Sequence, residues 1–98
     1  MIATEKVTEV RTGFVVGNKE GTRFFTHPDS WEFVKLNEEV SCTLWEEKWE
    51  AEELAEDNKD ILKSFRDKRT VEEWEEEYYS MDTVFPVIVT LTGDAKFK

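Results

Sequence analysis

The sequence predicts an α+β domain: a small antiparallel sheet or partly closed barrel, with two acidic helices inserted before the last strand. Three observations carry this prediction. Period-two alternation of β-formers recurs through the first 45 residues. From about residue 46 to residue 80 the apolar positions fall at helical spacing instead. A final β-rich stretch, Val84 to Thr92, follows the helical part. Strands first and helices grouped later argue against an alternating α/β architecture. All 98 residues are expected in one domain, with 1–45 as its β-rich part, 46–80 as a helical insertion and 84–92 as the closing strand.

Each element has its own signal. In 6–16, Thr8, Val10, Thr12, Phe14 and Val16 share one face of a strand, and Gly13 within it marks a bulge or a close approach. Gly17 to Gly21 is a turn, and Thr22 to His27 a second strand, so 6–27 reads as a hairpin broken by Pro28-Asp29-Ser30. Trp31 to Leu36 fits either a short helix capped by Ser30 or a strand. After a turn at Asn37-Glu38-Glu39, Val40 to Trp45 alternates again as a strand. Leu54, Ile61, Leu62 and Phe65 form the apolar stripe of a helix over 46–66, with Ala51, Ala55 and Asn58 beside it. Asp67-Lys68-Arg69 connects to a second helix over 71–79. There Thr70 and Glu73 fit a capping box, and Val71, Trp74 and Tyr78 form the apolar line. Pro86 puts the closing strand at an edge or bulge, and Gly93 to Lys98 reads as a frayed tail.

The net charge of −10 is concentrated. Residues 1–37 are neutral, 38–82 hold seventeen acids against six bases, and 83–98 carry a net +1. Between Glu46 and Asp60 the excess is six negative charges, or about one per 3.7 Å at a rise of 1.5 Å per residue. One strand of B-DNA carries a charge every ~3.4 Å. The second helix adds five glutamates between Glu72 and Glu77, and side by side the two would approach duplex density. The expected role is a non-enzymatic interaction protein that blocks a basic, nucleic-acid-binding surface of a partner protein. Glu46, Glu50, Glu53, Asp57, Glu73, Glu76 and Glu77 would supply charge, and Trp49 and Tyr79 would anchor. Trp45 and Trp74 are expected to pack the helices onto the sheet. The competing expectation is an oligomeric subunit whose acids serve only solubility.

Two resemblances add to this. Gly13-Phe14-Val15 is similar to the end of the first RNA-binding motif of cold-shock-type OB-fold barrels. Phe24-Phe25-Thr26-His27 resembles their second motif, and Leu36 to Ser41 sits where that family has its next turn and strand. The resemblance implies a barrel over 7–45 in which Phe14, Phe25 and His27 stack on unpaired bases. Val10-Arg11-Thr12 replaces the lysine and the earlier Gly-Phe of the first motif. In size, charge and lack of catalytic motifs the chain also resembles small acidic inhibitors encoded by bacteriophages. That resemblance implies mimicry of DNA, with anti-defence or host-takeover roles in the host cytoplasm.

Other chemistry finds little footing. His27, Ser30 and Cys42 show no nucleophile–base spacing, and Cys42 alternates with Val40 and Leu44 as a buried residue would. A single cysteine excludes an internal disulfide and suits a reducing compartment. Asp57-Asn58-Lys59-Asp60 fails the calcium-loop pattern at Lys59. No catalytic residue, metal or cofactor is expected, nor direct nucleic-acid binding through the acidic part. The opening Met-Ile-Ala-Thr-Glu-Lys lacks the apolar core of a signal peptide, and no apolar run approaches 18 residues, so a cytoplasmic, membrane-free location is expected.

Overall fold

The computed structural model describes residues 11–27, 32–37, 40–90 and 94–98. Expectations for 6–10, Pro28 to Trp31, Glu38-Glu39 and 91–93 lie outside them. The described elements are strands β1 (Arg11–Gly17), β2 (Phe33–Leu36) and β3 (Val40–Thr43), helices α1 (Lys48–Lys68) and α2 (Glu73–Tyr79), and strands β4 (Thr83–Val89) and β5 (Asp94–Phe97). The class is α+β, as the grouping of strands and helices predicts, and the sheet curls into a half-barrel.

Strand order is β1-β4-β5-β2-β3. Every pair is antiparallel except β2–β5, which is parallel and makes the sheet mixed. The 31–36 ambiguity resolves as strand over Phe33–Leu36. Asn37 takes φ 53°, a left-handed conformation that asparagine tolerates, and so lets β2 fold back on β3 with Leu36 opposite Val40.

The expected tail is β5, an internal strand. Ala95 is fully buried between β4 and β2. β4 is therefore not an edge, and Pro86 sits inside a continuous register opposite Phe14. The position tolerates proline because Phe14 turns its own N–H and C=O to Trp45, both at 2.8 Å, and asks nothing of Pro86. On the other side β5 is running out, and Lys98 N–H donates to the Pro86 carbonyl.

The expected 6–27 hairpin is replaced by a longer-range pairing. Along its described length β1 pairs with β4, and 22–27 keeps one isolated bridge, Gly17 to Phe24. That segment instead plugs the gap between β1 and β3. Phe25 N–H donates to Val16 O at 2.7 Å, Thr43 N–H donates to Phe25 O at 3.1 Å, and His27 N–H donates to Thr43 Oγ1 at 2.8 Å. Gly13 is a close approach rather than a bulge, since a Cβ there would lie 2.6 Å from Leu44 Cδ1.

Both faces of the sheet carry buried residues. Val15, Val34, Leu36, Cys42, Leu44, Val87, Val89 and Ala95 fill the inside of the curl. Val16 and Phe25 join Ala51, Ala55 and Met81 under α1, with Phe14, Trp45, Leu54, Tyr78 and Val84 around them. Period-two alternation in β1 thus sends Val15 to one core and Val16 to the other.

Candidate interaction surface

The helical layer is built on α1. Its buried positions are Ala51, Ala55, Asn58 and Leu62, at spacings of four, three and four. Of the expected stripe, Leu62 is on this line, whereas Leu54 and Phe65 are half-buried and Ile61 is 37% exposed. Small residues on the inner line let the helix approach the sheet closely. Asn58 is buried among them because its side-chain amide donates to the Met81 carbonyl at 2.8 Å, tying α1 to the chain entering β4.

At 100° per residue, the side opposite this line carries Trp49, Glu53, Glu56 and Asp60, with Asp57 next to them. Trp49 is 61% exposed. Glu56 pairs with Lys59 at 3.4 Å. Glu50, Glu53, Asp57 and Asp60 have no cation within ion-pair distance among the described residues. Residues 48–60 hold six acids and two bases, whereas 61–68 hold one acid and three bases. The sequence count overstates the density on the helix, because Glu46 and Glu47 precede α1 and Glu46 faces Arg11 at 3.6 Å. A net four charges over thirteen residues is about one per 5 Å.

The second helix uses its acids differently. The capping box is Glu72 with Glu75, two residues later than the expected Thr70 and Glu73, and α2 begins at Glu73 rather than at Val71. Glu75, not Trp74, is the buried residue of α2. Arg69 reaches it with two hydrogen bonds at 2.7 and 2.8 Å, and the Glu72 backbone N–H adds a third at 3.1 Å. The Arg69 bonds, followed by the Glu72 N–H, hold the Glu75 carboxyl down at about 2. Arg69 in turn lies 4.3 Å from the Phe65 ring centroid. Glu76 pairs with Arg66 at 2.8 Å and Glu77 with Arg23 at 3.3 Å. Glu73 is exposed with no such partner among the described residues.

The aromatics divide in a way the sequence did not show. Tyr79, an expected anchor, packs edge-on against Phe65 and Tyr78 at 5.6 and 5.0 Å. Trp74, expected in the packing, is 60% exposed, its indole N–H donating to Glu72 Oε2 at 2.9 Å. Its ring lines a groove of about 270 Å³ together with Arg23, Phe24, Glu77, Tyr78 and Met81, and borders a second cleft with Glu72, Glu73 and Glu77. The apolar line is no guide here, because the inward position of α2 is decided by Arg69, in the link that follows α1.

Phe25 sits in the core between sheet and helices, Phe14 is half-buried against it, and His27 is half-buried beside it. Phe25 is 3% exposed, 5.4 Å from Tyr78 and 6.1 Å from the His27 ring. Cys42 is fully buried, and burial pushes its thiol up to about 11, where it stays protonated. Among the described residues no group of three or more His, Cys, Asp or Glu is placed to hold a metal ion, and no helix is long and apolar enough to cross a membrane. No protein-family model, curated protein or solved structure matches the chain.

Proposed function

We propose that the protein is a non-catalytic binding module whose helical layer docks on a basic surface of a partner protein, one that otherwise holds nucleic acid. The observation that carries this reading is the outward face of α1. There a tryptophan 61% exposed stands in line with Glu53, Asp57 and Asp60, which no described cation neutralises. A large exposed ring among uncompensated carboxylates costs solubility and helix stability, and a partner of opposite charge recovers both. The field of the face speeds encounter, and Trp49 becomes the desolvated anchor once the surfaces meet. At one charge per about 5 Å, the face is sparser than a nucleic-acid strand. It competes for the partner's basic surface by occupying it, without reproducing duplex spacing.

The test is affinity capture from a nuclease-treated lysate at low and high salt, comparing the native chain with the triple variant Glu53→Lys, Asp57→Lys, Asp60→Lys. All three side chains point away from the sheet, so the fold is kept. The expected result is a basic nucleic-acid-binding protein held by the native chain alone and released by salt. Equal capture by both chains, or none by either, overturns the proposal.

A further inference from the structure

The exposed ring on α2, like that of Trp49 on α1, is not explained by packing. Trp74 is 60% exposed, yet it is held in place: its N–H is committed to Glu72, and its ring walls the groove lined by Arg23, Phe24, Glu77, Tyr78 and Met81. We propose that this groove receives an arginine side chain of the basic partner, stacked on the Trp74 indole and bonded to Glu77. The proposal rests on the reading of the acidic layer as a partner-binding surface and names the partner group that enters it.

Charge complementarity selects the occupant. Within the groove Glu77 is the acid and Arg23 the base, while Glu72 and Glu73 border the same ring in the adjoining cleft. With Arg23 swung aside, the acids around the ring and the net charge of −10 favour a cation over an anion or a purely apolar side chain. Tyr78 and Phe24 add aromatic walls, which favour a flat, weakly hydrated cation. Guanidinium stacks on indole and can fork onto a carboxylate, whereas ammonium is a compact point charge that keeps its water. The molecule already places one guanidinium at this position: Arg23 lines the groove and meets Glu77 at 3.3 Å. Both side chains of that pair are about half exposed, 60% and 46%. An exposed pair of this kind holds its partners weakly, so an incoming arginine displaces Arg23 from Glu77 at small cost.

The probe is a nine-residue peptide of alternating arginine and glycine, beside its lysine, citrulline and leucine counterparts. Binding is followed by fluorescence anisotropy of the labelled peptide and by the indole N–H resonance of Trp74, identified by its loss in Trp74→Phe. The arginine peptide should shift that resonance and bind more tightly than the lysine peptide. Citrulline, which keeps the shape and loses the charge, should not bind. Trp74→Ala should weaken arginine-peptide binding by about five- to thirty-fold, the range of a cation–π contact from exposed to desolvated. Arg23→Ala should strengthen it, a gain that no loss of folding imitates.

Binding of the leucine peptide at the Trp74 resonance, or an Arg23→Ala variant that binds arginine no better, overturns the groove assignment. If arginine binding survives Trp74→Ala unchanged but is lost in the Glu53→Lys, Asp57→Lys, Asp60→Lys variant, the groove assignment fails and the acidic-face reading stands. If the arginine peptide binds none of the variants or the native chain, both fail.

Discussion

α1 and α2 are both rich in acids, and they use them in opposite ways. In α2, Glu75, Glu76 and Glu77 each meet an arginine, drawn from the end of α1, from the inter-helix link and from the segment after β1. Over residues 48–60 of α1, Glu50, Glu53, Asp57 and Asp60 meet no described cation, and three of that helix's five bases gather instead in 61–68. Glu50 in the first turn and Arg66 and Lys68 in the last suit the helix dipole. The distribution also leaves one stretch of surface uncompensated. A count of acids along the chain measures neither effect. What counts is which carboxylates the fold has already given a partner.

Each helix also buries one polar residue, and these sites give the largest expected effects. Asn58→Ala removes the donor to the Met81 carbonyl and leaves that acceptor without its partner inside the layer. The expected loss is about 1–3 kcal/mol, or a melting temperature lower by ~4–8 °C per kcal/mol in a domain of this size. Asp57→Ala, one residue along and facing solvent, should stay within about 0.5 kcal/mol. Thermal melts of the two variants read the difference, and equal melting temperatures would mean that α1 is not seated as described.

Glu75→Gln comes next. With its carboxyl held near 2 in the folded chain, Glu75 contributes stability at pH values above the ordinary glutamate range. That contribution is lost as the pH falls from about 5 toward about 2, because the unfolded chain takes up the proton first. Native protein and Glu75→Gln should therefore differ at pH 7 and converge near pH 2 in denaturant midpoints taken across that range. Glu73→Gln, altering an exposed carboxylate with no described cation, should stay within about 0.5 kcal/mol of the native protein at pH 7. A native acid limb in the Glu75→Gln variant would break the contrast between committed and uncommitted acids.

The architecture was legible in the sequence where local pattern and long-range packing agree. β1, β3 and α1 fall where alternation and helical spacing put them, α1 within two residues at either end. Legibility failed where a distant partner decides. β5 alternates over only four residues, Asp94 to Phe97, too few to tell a strand from a tail, and its Ala95 is held as a strand residue by β4 and β2 on either side. The local hairpin signal of 17–27 is cut short after Phe25, because Trp45 takes the hydrogen bonds of Phe14 on that edge of β1, while β4, sixty or more residues away, pairs with the other edge. In α2, hydropathy puts Trp74 inside and Glu75 outside. Arg69 reverses this, since a glutamate forked by a guanidinium can be buried while a tryptophan on the far side cannot reach the core. The capping box moved for the same reason, to the pair that contains Glu75. The acid stripe of α1 was legible, being a property of one helix, and so was Trp49. The exchange of Tyr79 for Trp74 as the exposed aromatic was not.

The smallest expected change in stability goes with a large expected change in binding, and it sharpens the comparison furthest. Glu53→Gln, Asp57→Asn and Asp60→Asn together remove three charges that no described cation opposes. Glu53 and Asp57 stand four apart on one helical face, where like charges repel, and relieving such a pair is worth about 0.2–0.5 kcal/mol. All three lie past the first turn, where the helix dipole has faded. The triple variant should thus melt at the native temperature or slightly above it, and should lose salt-sensitive capture of the basic partner. The corresponding neutralisation in α2, Glu76→Gln with Glu77→Gln, breaks two exposed ion pairs at a cost of about 0–1 kcal/mol each. If the α1 variant melts lower than the α2 variant, those acids hold the fold after all, and the outward face of α1 has no surplus of charge to give to a partner.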